Sequence, residues 1–290
     1  MGEPQRKISF VKMTGAGNDF VLIDELGGRS TTDWARLAPA LCDRRYGIGA
    51  DGLLILTPSL TADFTMEYYN ADGSSGGMCG NGGRCSAYYY LLKNGRSQTT
   101  FEALGESYKA RFTGSNIALR MQEPTGFRSM ELNIPAGQLQ VYFINTGAPH
   151  AVLFTEELPE QVRRSIGSGS ILEIGRSIRH HDEFKPGGTN VDFVEIVSGR
   201  VISMRSYERG VEDETLACGT GAVACSLVAS LVRGMVPPID VKTRGNETLR
   251  VNFKAGGRIM KEVELEGPAK IVYRGELEYS RSSDSGSHGI

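Results

Sequence analysis

The sequence predicts an α+β protein of two pseudo-symmetric halves, each a β-sheet around one central helix, with the active site in the cleft between them. Three observations carry this. Cys79-Gly80-Asn81-Gly82 and Cys218-Gly219-Thr220-Gly221 each open a run of small residues that reads as a helix. Alternating stretches, Phe64 to Tyr69 and Ile202 to Tyr207, lead the chain toward each of them with the two-residue period of a half-buried strand. Finally, four features recur in one order. Thr14-Gly15-Ala16-Gly17-Asn18 is answered by Thr146-Gly147-Ala148-Pro149-His150, Leu53 to Leu56 by Val191 to Val197, the first alternating stretch by the second, and the first cysteine loop by the second. The Thr-Gly-Ala loops are offset by 132 residues and the cysteines by 139, as expected of a duplicated unit with small insertions.

The elements follow in order. Ile8 to Asp24 reads as a strand, a tight loop from Thr14 to Asp19 and a second strand from Phe20 to Ile23. Thr32 or Asp33 caps a helix from Trp34 to Asp43, with Trp34, Leu37 and Leu41 at helical spacing and Cys42 as inert packing. Gly47 to Gly52 fits G-x-G-x-x-G, but a helix precedes it and a strand follows, the reverse of a dinucleotide site, so these are turn glycines. The helix beyond Cys79 is expected over Ser86 to Lys93, stopped by Asn94-Gly95. Thr99 to Met121 reads as two or three strands. Glu123 to Gly137, with two prolines and two glycines, marks a boundary that divides halves 1–124 and 125–267. Arg233-Gly234 ends the second helix, and Ile259 to Leu265 and Ala269 to Tyr273 are closing strands. Residues 280–290, rich in serine and glycine, read as a disordered tail.

With 290 residues, 40% of them hydrophobic, the chain can bury a sizeable core. Its 32 basic and 34 acidic residues form no long run of either sign, which argues against nucleic acid or an anionic membrane as partner and for a small-molecule ligand. The first seven residues hold no apolar signal core, and the longest weakly polar run, Ala222 to Val232, is too short to span a bilayer, so the expected location is cytoplasmic. Five cysteines, an odd number at irregular spacing, point to reduced thiols. No C-x-x-C pair exists and His180-His181 sits in a charged loop, so no metal site is expected.

A cysteine at a helix N-terminus feels a field expected to lower its pKa. One thiolate and one thiol on opposite sides of a carbon make a base and an acid of matched strength, and the reaction they suit is inversion. The backbone N–H groups at Gly80-Asn81 and Gly219-Thr220 would stabilise a carboxylate and the enolate-like charge formed beside it. No pyridoxal phosphate or other cofactor is needed. Asn18 and Asn70 in the first half correspond to His150 and Glu208 in the second. The latter two are candidates to orient or deprotonate a thiol, while Arg209 can grip a second carboxylate. Cys85 and Cys225, among small apolar neighbours, read as packing.

Several segments together resemble the diaminopimelate epimerase family. They are Lys12 to Phe20, Asn70-Ala71-Asp72-Gly73 ahead of Cys79, Pro149-His150, and Glu208-Arg209-Gly210 ahead of Cys218, and the likeness runs from about Ile8 to Gly275. The resemblance implies interconversion of LL- and meso-diaminopimelate for lysine and peptidoglycan synthesis, the fold of that family, a homodimer, and a C-terminal strand, about 268–279, that returns to the first half. It also implies roles. Cys79 and Cys218 match the acid/base pair, with Glu208 and His150 as supporting catalytic residues. Gly80, Asn81, Gly219 and Thr220 match the α-carboxylate cradle, and Asn18, Asn70, Asn190 and Arg209 match substrate contacts. Ala148 stands where many members have asparagine, with Asn145 as the candidate replacement. Gly52 stands where some have glutamine, and Glu208 to Cys218 is ten residues where some have nine. The rival readings are a proline racemase-like or phenazine-pathway isomerase, against which Asn81 and Glu208-Arg209 argue, and a thiol redox or binding protein.

Overall fold

The strand pattern of the sequence is realised twice in the computed structural model, which describes residues 6–167, 169–257 and 259–279; the predicted tail, 280–290, lies outside the described residues. The first half contains β1 (Arg6–Gly15), β2 (Asn18–Asp24), α1 (Trp34–Cys42), β3 (Gly52–Thr57), β4 (Phe64–Asn70), α2 (Gly80–Asn94), β5 (Gln98–Ala103), β6 (Glu106–Thr113) and β7 (Asn116–Arg120). The second contains β8 (Thr125–Ile134), β9 (Gly137–Asn145), β10 (Pro149–Phe154), α3 (Glu160–Gly167), α4 (Leu172–Arg179), β11 (Asn190–Ser198), β12 (Val201–Glu208), β13 (Asp213–Thr215), α5 (Gly219–Arg233), β14 (Ile239–Lys242), β15 (Thr248–Gly256) and β16 (Ile259–Pro268). A final strand, β17 (Lys270–Tyr279), pairs antiparallel with β1.

Hydrogen-bonded neighbours run β17-β1-β2-β3-β4-β5-β6-β7 on one side and β8-β9-β10-β11-β12-β14-β15-β16 on the other. The two series join through β7 and β16, antiparallel from Glu264 opposite Arg120 to Pro268 opposite Asn116. Exchanging the halves maps each strand of one series onto a counterpart of the same sense in the other; β13, antiparallel to β12, is answered in the first half only by an isolated bridge of Tyr69 with Ser75. The parallel pairs β2/β3 and β10/β11 are bridged by α1 and by α3 with α4, and β4/β5 and β12/β14 by the cysteine helices. Parallel neighbours require such crossovers, so α2 and α5 lie against the strands of their own half. Val223, Leu227 and Val228 of α5 are fully buried, each contributing roughly 1.5–3 kcal/mol of hydrophobic stabilisation. In the first half Phe64, Phe101 and Tyr108 stack in series at 5.1 and 5.4 Å.

One expectation needs correction, and three elements were not foreseen. α2 starts at Gly80, six residues before the expected Ser86. Glycines are poor helix formers, but here Cys79 caps the helix, its sulfur accepting the Gly82 N–H at 3.4 Å, and burial of Gly80 to Ala87 overrides propensity. The segment Glu123 to Gly137, where the boundary between halves is expected, also holds a strand, β8; Met130, Leu132 and Ile134 alternate toward the protein, a period masked by the flanking prolines and glycines. The eight-residue helices α3 and α4 were not foreseen. Among the described residues, no helix is long and apolar enough to cross a membrane.

Candidate active site

The N-termini of α2 and α5 meet head to head. A Cβ placed on Gly219 would lie 3.7 Å from the Gly80 Cα and 3.0 Å from the Leu265 side chain; one on Gly80 would lie 3.9 Å from the Gly219 Cα. A Cβ at either position would meet the facing backbone at ordinary contact distance and press on the Leu265 side chain, most tightly from Gly219. Cys79 and Cys218 are the N-caps of these helices, both in extended conformation, with Cys218 buried and Cys79 partly so. All five cysteines are free thiols. Gly80, Asn81, Gly219 and Thr220 therefore form the first turns of two facing helices, where unpaired N–H groups favour an anion.

On the second-half side, Cys218 heads a continuous chain of polar contacts. Its sulfur lies 3.6 Å from the Thr220 hydroxyl, which lies 2.9 Å from His150 Nε2, and His150 Nδ1 lies 2.7 Å from Asp192. His150 and Asp192 are both completely buried. With Nδ1–H donated to Asp192, Nε2 accepts from the Thr220 hydroxyl, whose oxygen is left to accept from the Cys218 thiol. Ser206 also donates to Asp192. The Thr146 hydroxyl donates to the Thr220 carbonyl at 3.0 Å, tying the β9–β10 turn to the α5 N-terminus.

The first-half side uses amides instead. Asn81 donates to the Asn18 side-chain carbonyl, and Asn18 donates to Asp51 at 3.1 Å. Asn81 Oδ1 accepts from Arg84 at 2.6 Å. Asp19 is held by Lys12 and Arg44, and Arg44 also reaches Asp51 at 2.7 Å. Burial works against the charge of Asp19, but the bonds from Arg44 and Lys12 prevail and bring its pKa down to about 2. This cluster clamps the Gly47–Asp51 turn against the β1–β2 hairpin that carries Asn18.

The thiols do not behave as the helix field alone would predict. Burial, the largest effect, pushes the Cys79 thiol up, with the Gly82 N–H pulling the other way. Cys218 is pushed well up, by burial first and then by the carboxylates of Glu208 and Asp192. Loss of hydration outweighs a helix end that is worth only a fraction of a charge. Glu208 closes β12, and burial raises its carboxyl too.

The remaining predicted residues make their hydrogen bonds to groups other than the thiols. Asn190, at the start of β11 opposite His150, donates to the Pro149 carbonyl at 3.0 Å and accepts the Arg209 N–H at 2.8 Å, so its amide braces the loops. Asn70 donates to Ser74 at 2.9 Å. The Arg209 side chain is exposed and, among the described residues, enters no ion pair. Asn145 accepts from Gly147 N at 3.0 Å within its own turn. A side chain at Gly52 would collide with the Tyr68 ring at 2.4 Å, so Tyr68 fills the space a larger residue at position 52 would need. Participants not singled out from the sequence include Asp192, Asp51, Tyr68, Arg44 and Ser206. Asp192 left a signal, a lone carboxylate among Val191, Phe193 and Val194 in a buried strand. Among the described residues no cluster of three or more His, Cys, Asp or Glu could hold a metal ion.

The sequence profile of the diaminopimelate epimerase family matches residues 10–125 and 142–279. The chain belongs to the diaminopimelate epimerase family. A family relative, the diaminopimelate epimerase of Chlorobaculum tepidum, is 43% identical over 270 residues, covering 91% of this chain and 99% of the relative. That of Aquifex aeolicus is 38% identical over 288 residues, covering 93% and 98%. Solved structures similar to this diaminopimelate epimerase-family fold include a hydroxyproline epimerase from Agrobacterium vitis, with TM-score 0.69, 16% identity and coverage of 97% of this chain and 94% of that one. A phenazine biosynthesis protein of the PhzF family from Bacillus anthracis gives 0.68, 14%, 94% and 99%. At these identities the likeness establishes the shared fold.

Proposed function

We propose that the chain interconverts LL- and meso-diaminopimelate by moving the α-proton between two thiols. The observation that carries this reading is the pair of cysteine N-caps on helix ends that meet at Gly80 and Gly219, in a chain of the diaminopimelate epimerase family. The α-carboxylate binds the N–H groups of Gly80, Asn81, Gly219 and Thr220. One cysteine, as thiolate, takes the α-proton from one face and becomes a thiol. The other gives its proton to the opposite face and becomes a thiolate, so proton count and charge balance. The same N–H groups hold the enolate-like charge between these steps. Both thiols are raised by burial, which suits them to proton exchange with a weakly acidic α-carbon, since a thiolate that is hard to form is a stronger base.

In this reading Glu208 and His150 support the thiols, and Asn18, Asn70, Asn190 and Arg209 contact the substrate. Arg209, exposed and unpaired, is suited to the distal carboxylate. The reaction needs no cofactor. The working form is a cytoplasmic homodimer whose protomers consist of 1–124 with the returning strand, and 125–267. The test is wash-in: purified protein with reductant and no cofactor, in deuterium oxide, should place deuterium at the α-position of LL-diaminopimelate as meso product forms. Exchange into proline with none into diaminopimelate would reassign the substrate.

A further inference from the structure

Arg84 is the fifth residue of α2 and is completely buried. One of its nitrogens donates to Asn81 at 2.6 Å, while Nε and Nη1 have no hydrogen-bond partner among the described residues. No carboxylate pairs with it there. Nη1 lies 4.0 Å from where a Gly80 Cβ would stand, so the guanidinium sits directly behind the cradle at the Cys79 helix end. Arginine does not shed its proton in proteins, and a buried unpaired charge is costly unless an anion faces it. The ionisable groups whose charge reaches it are the sulfurs of Cys85, the stronger, and Cys79. Cys85 is sealed in the core and pushed up to about 12 by burial, whereas Cys79 is partly exposed and capped by an N–H. Facing Cys79 are also Glu208 from β12 and Tyr68 from β4. Of these groups only Arg84 carries a positive charge.

We propose that Arg84 is a positioning residue whose buried charge is the counter-ion of the anion formed at Cys79, so that in the resting protein Cys79 loses its proton to water before Cys218 does. The corresponding residue of the second half is Val223, and the charges facing Cys218 are the acidic Glu208 and Asp192. This rests on reading the two thiols as the acid/base pair, but its test needs no diaminopimelate.

The substrate-free protein is alkylated with iodoacetamide across pH, and modification of Cys79 and Cys218 is followed separately by peptide mass. In the wild type the Cys79 midpoint should lie below that of Cys218. Arg84→Met, which swaps an unpaired buried charge for an apolar chain of similar length, should raise the Cys79 midpoint by about one pH unit or more and leave that of Cys218 in place. Arg84→Lys should shift it less. A wild-type Cys79 midpoint at or above that of Cys218 overturns the proposal without any variant. Equal shifts of both thiols in Arg84→Met would also overturn it, since general loosening moves both. Should Arg84→Met fail to fold, the wild-type order and Arg84→Lys still decide. Absence of diaminopimelate turnover in a wild type showing the expected thiol order would count against the substrate alone.

Discussion

The two halves present the same helix end to the site and surround it with different charges. Behind Cys79 stand neutral amides, Asn18 and Asn81, backed by the buried Arg84 cation. Behind Cys218 stand His150 and Asp192, while Glu208 faces both thiols. Apart from β13 the two backbones match strand for strand, whereas the side chains that set proton affinity differ. A nearly mirror-symmetric reaction still needs an asymmetric resting state, in which one thiol is ready to accept a proton and the other to give one.

The largest test of this comparison removes the sulfurs. Cys79→Ser and Cys218→Ser should each lower epimerisation by at least about a thousandfold, because a hydroxyl is a far weaker acid than a thiol. Near-normal turnover in either single variant, measured by circular dichroism of the product mixture, would break the two-thiol scheme. A finer test makes the second half resemble the first. His150→Asn replaces the imidazole between Thr220 and Asp192 by the residue type found at Asn18, and kcat should fall by about a hundredfold with KM changing far less. An equal rise in KM would assign His150 to binding.

The smallest effect concerns the ion cluster unique to the first half. Asp19 is depressed to about 2, below its ordinary value. The stability it contributes is therefore fully present above pH 4 and is lost as pH falls through about 2. Asp19→Asn should cost about 2 kcal/mol at neutral pH. The deficit should shrink as urea unfolding is repeated at lower pH; a deficit constant down to pH 2 would mean that the ion pairs with Lys12 and Arg44 are not its source.

The repeated architecture was legible because its signals are local. Cys-Gly-x-Gly ahead of small residues, alternating strands and Thr-Gly-Ala turns all show in a few neighbouring residues, and each became the expected element. The start of α2 was not legible, because three glycines in its first four residues argue against helix until the facing α5 and Leu265 are known. β8 was hidden by its flanks. At the site, the sequence drew attention to the residues around each cysteine, but not to partners supplied by pairing across strands. Asp192 reaches His150 only because β10 and β11 run parallel in register. The raised thiols were missed for a similar reason: sequence reveals the helix end but not how completely the two ends exclude water from each other.

The pairing of β17 with β1 bears on how the protein is made. In the second half the corresponding outer strand, β8, precedes its partner β9, so that half can build its sheet in the order of synthesis. The first half cannot. Its β1 is followed at once by β2, but its other edge stays open until residues 270–279 emerge, leaving a row of unpaired backbone groups through most of translation. The half made first is thus the half completed last, and a chain cut short after β16 would keep both cysteines while exposing the β1 edge.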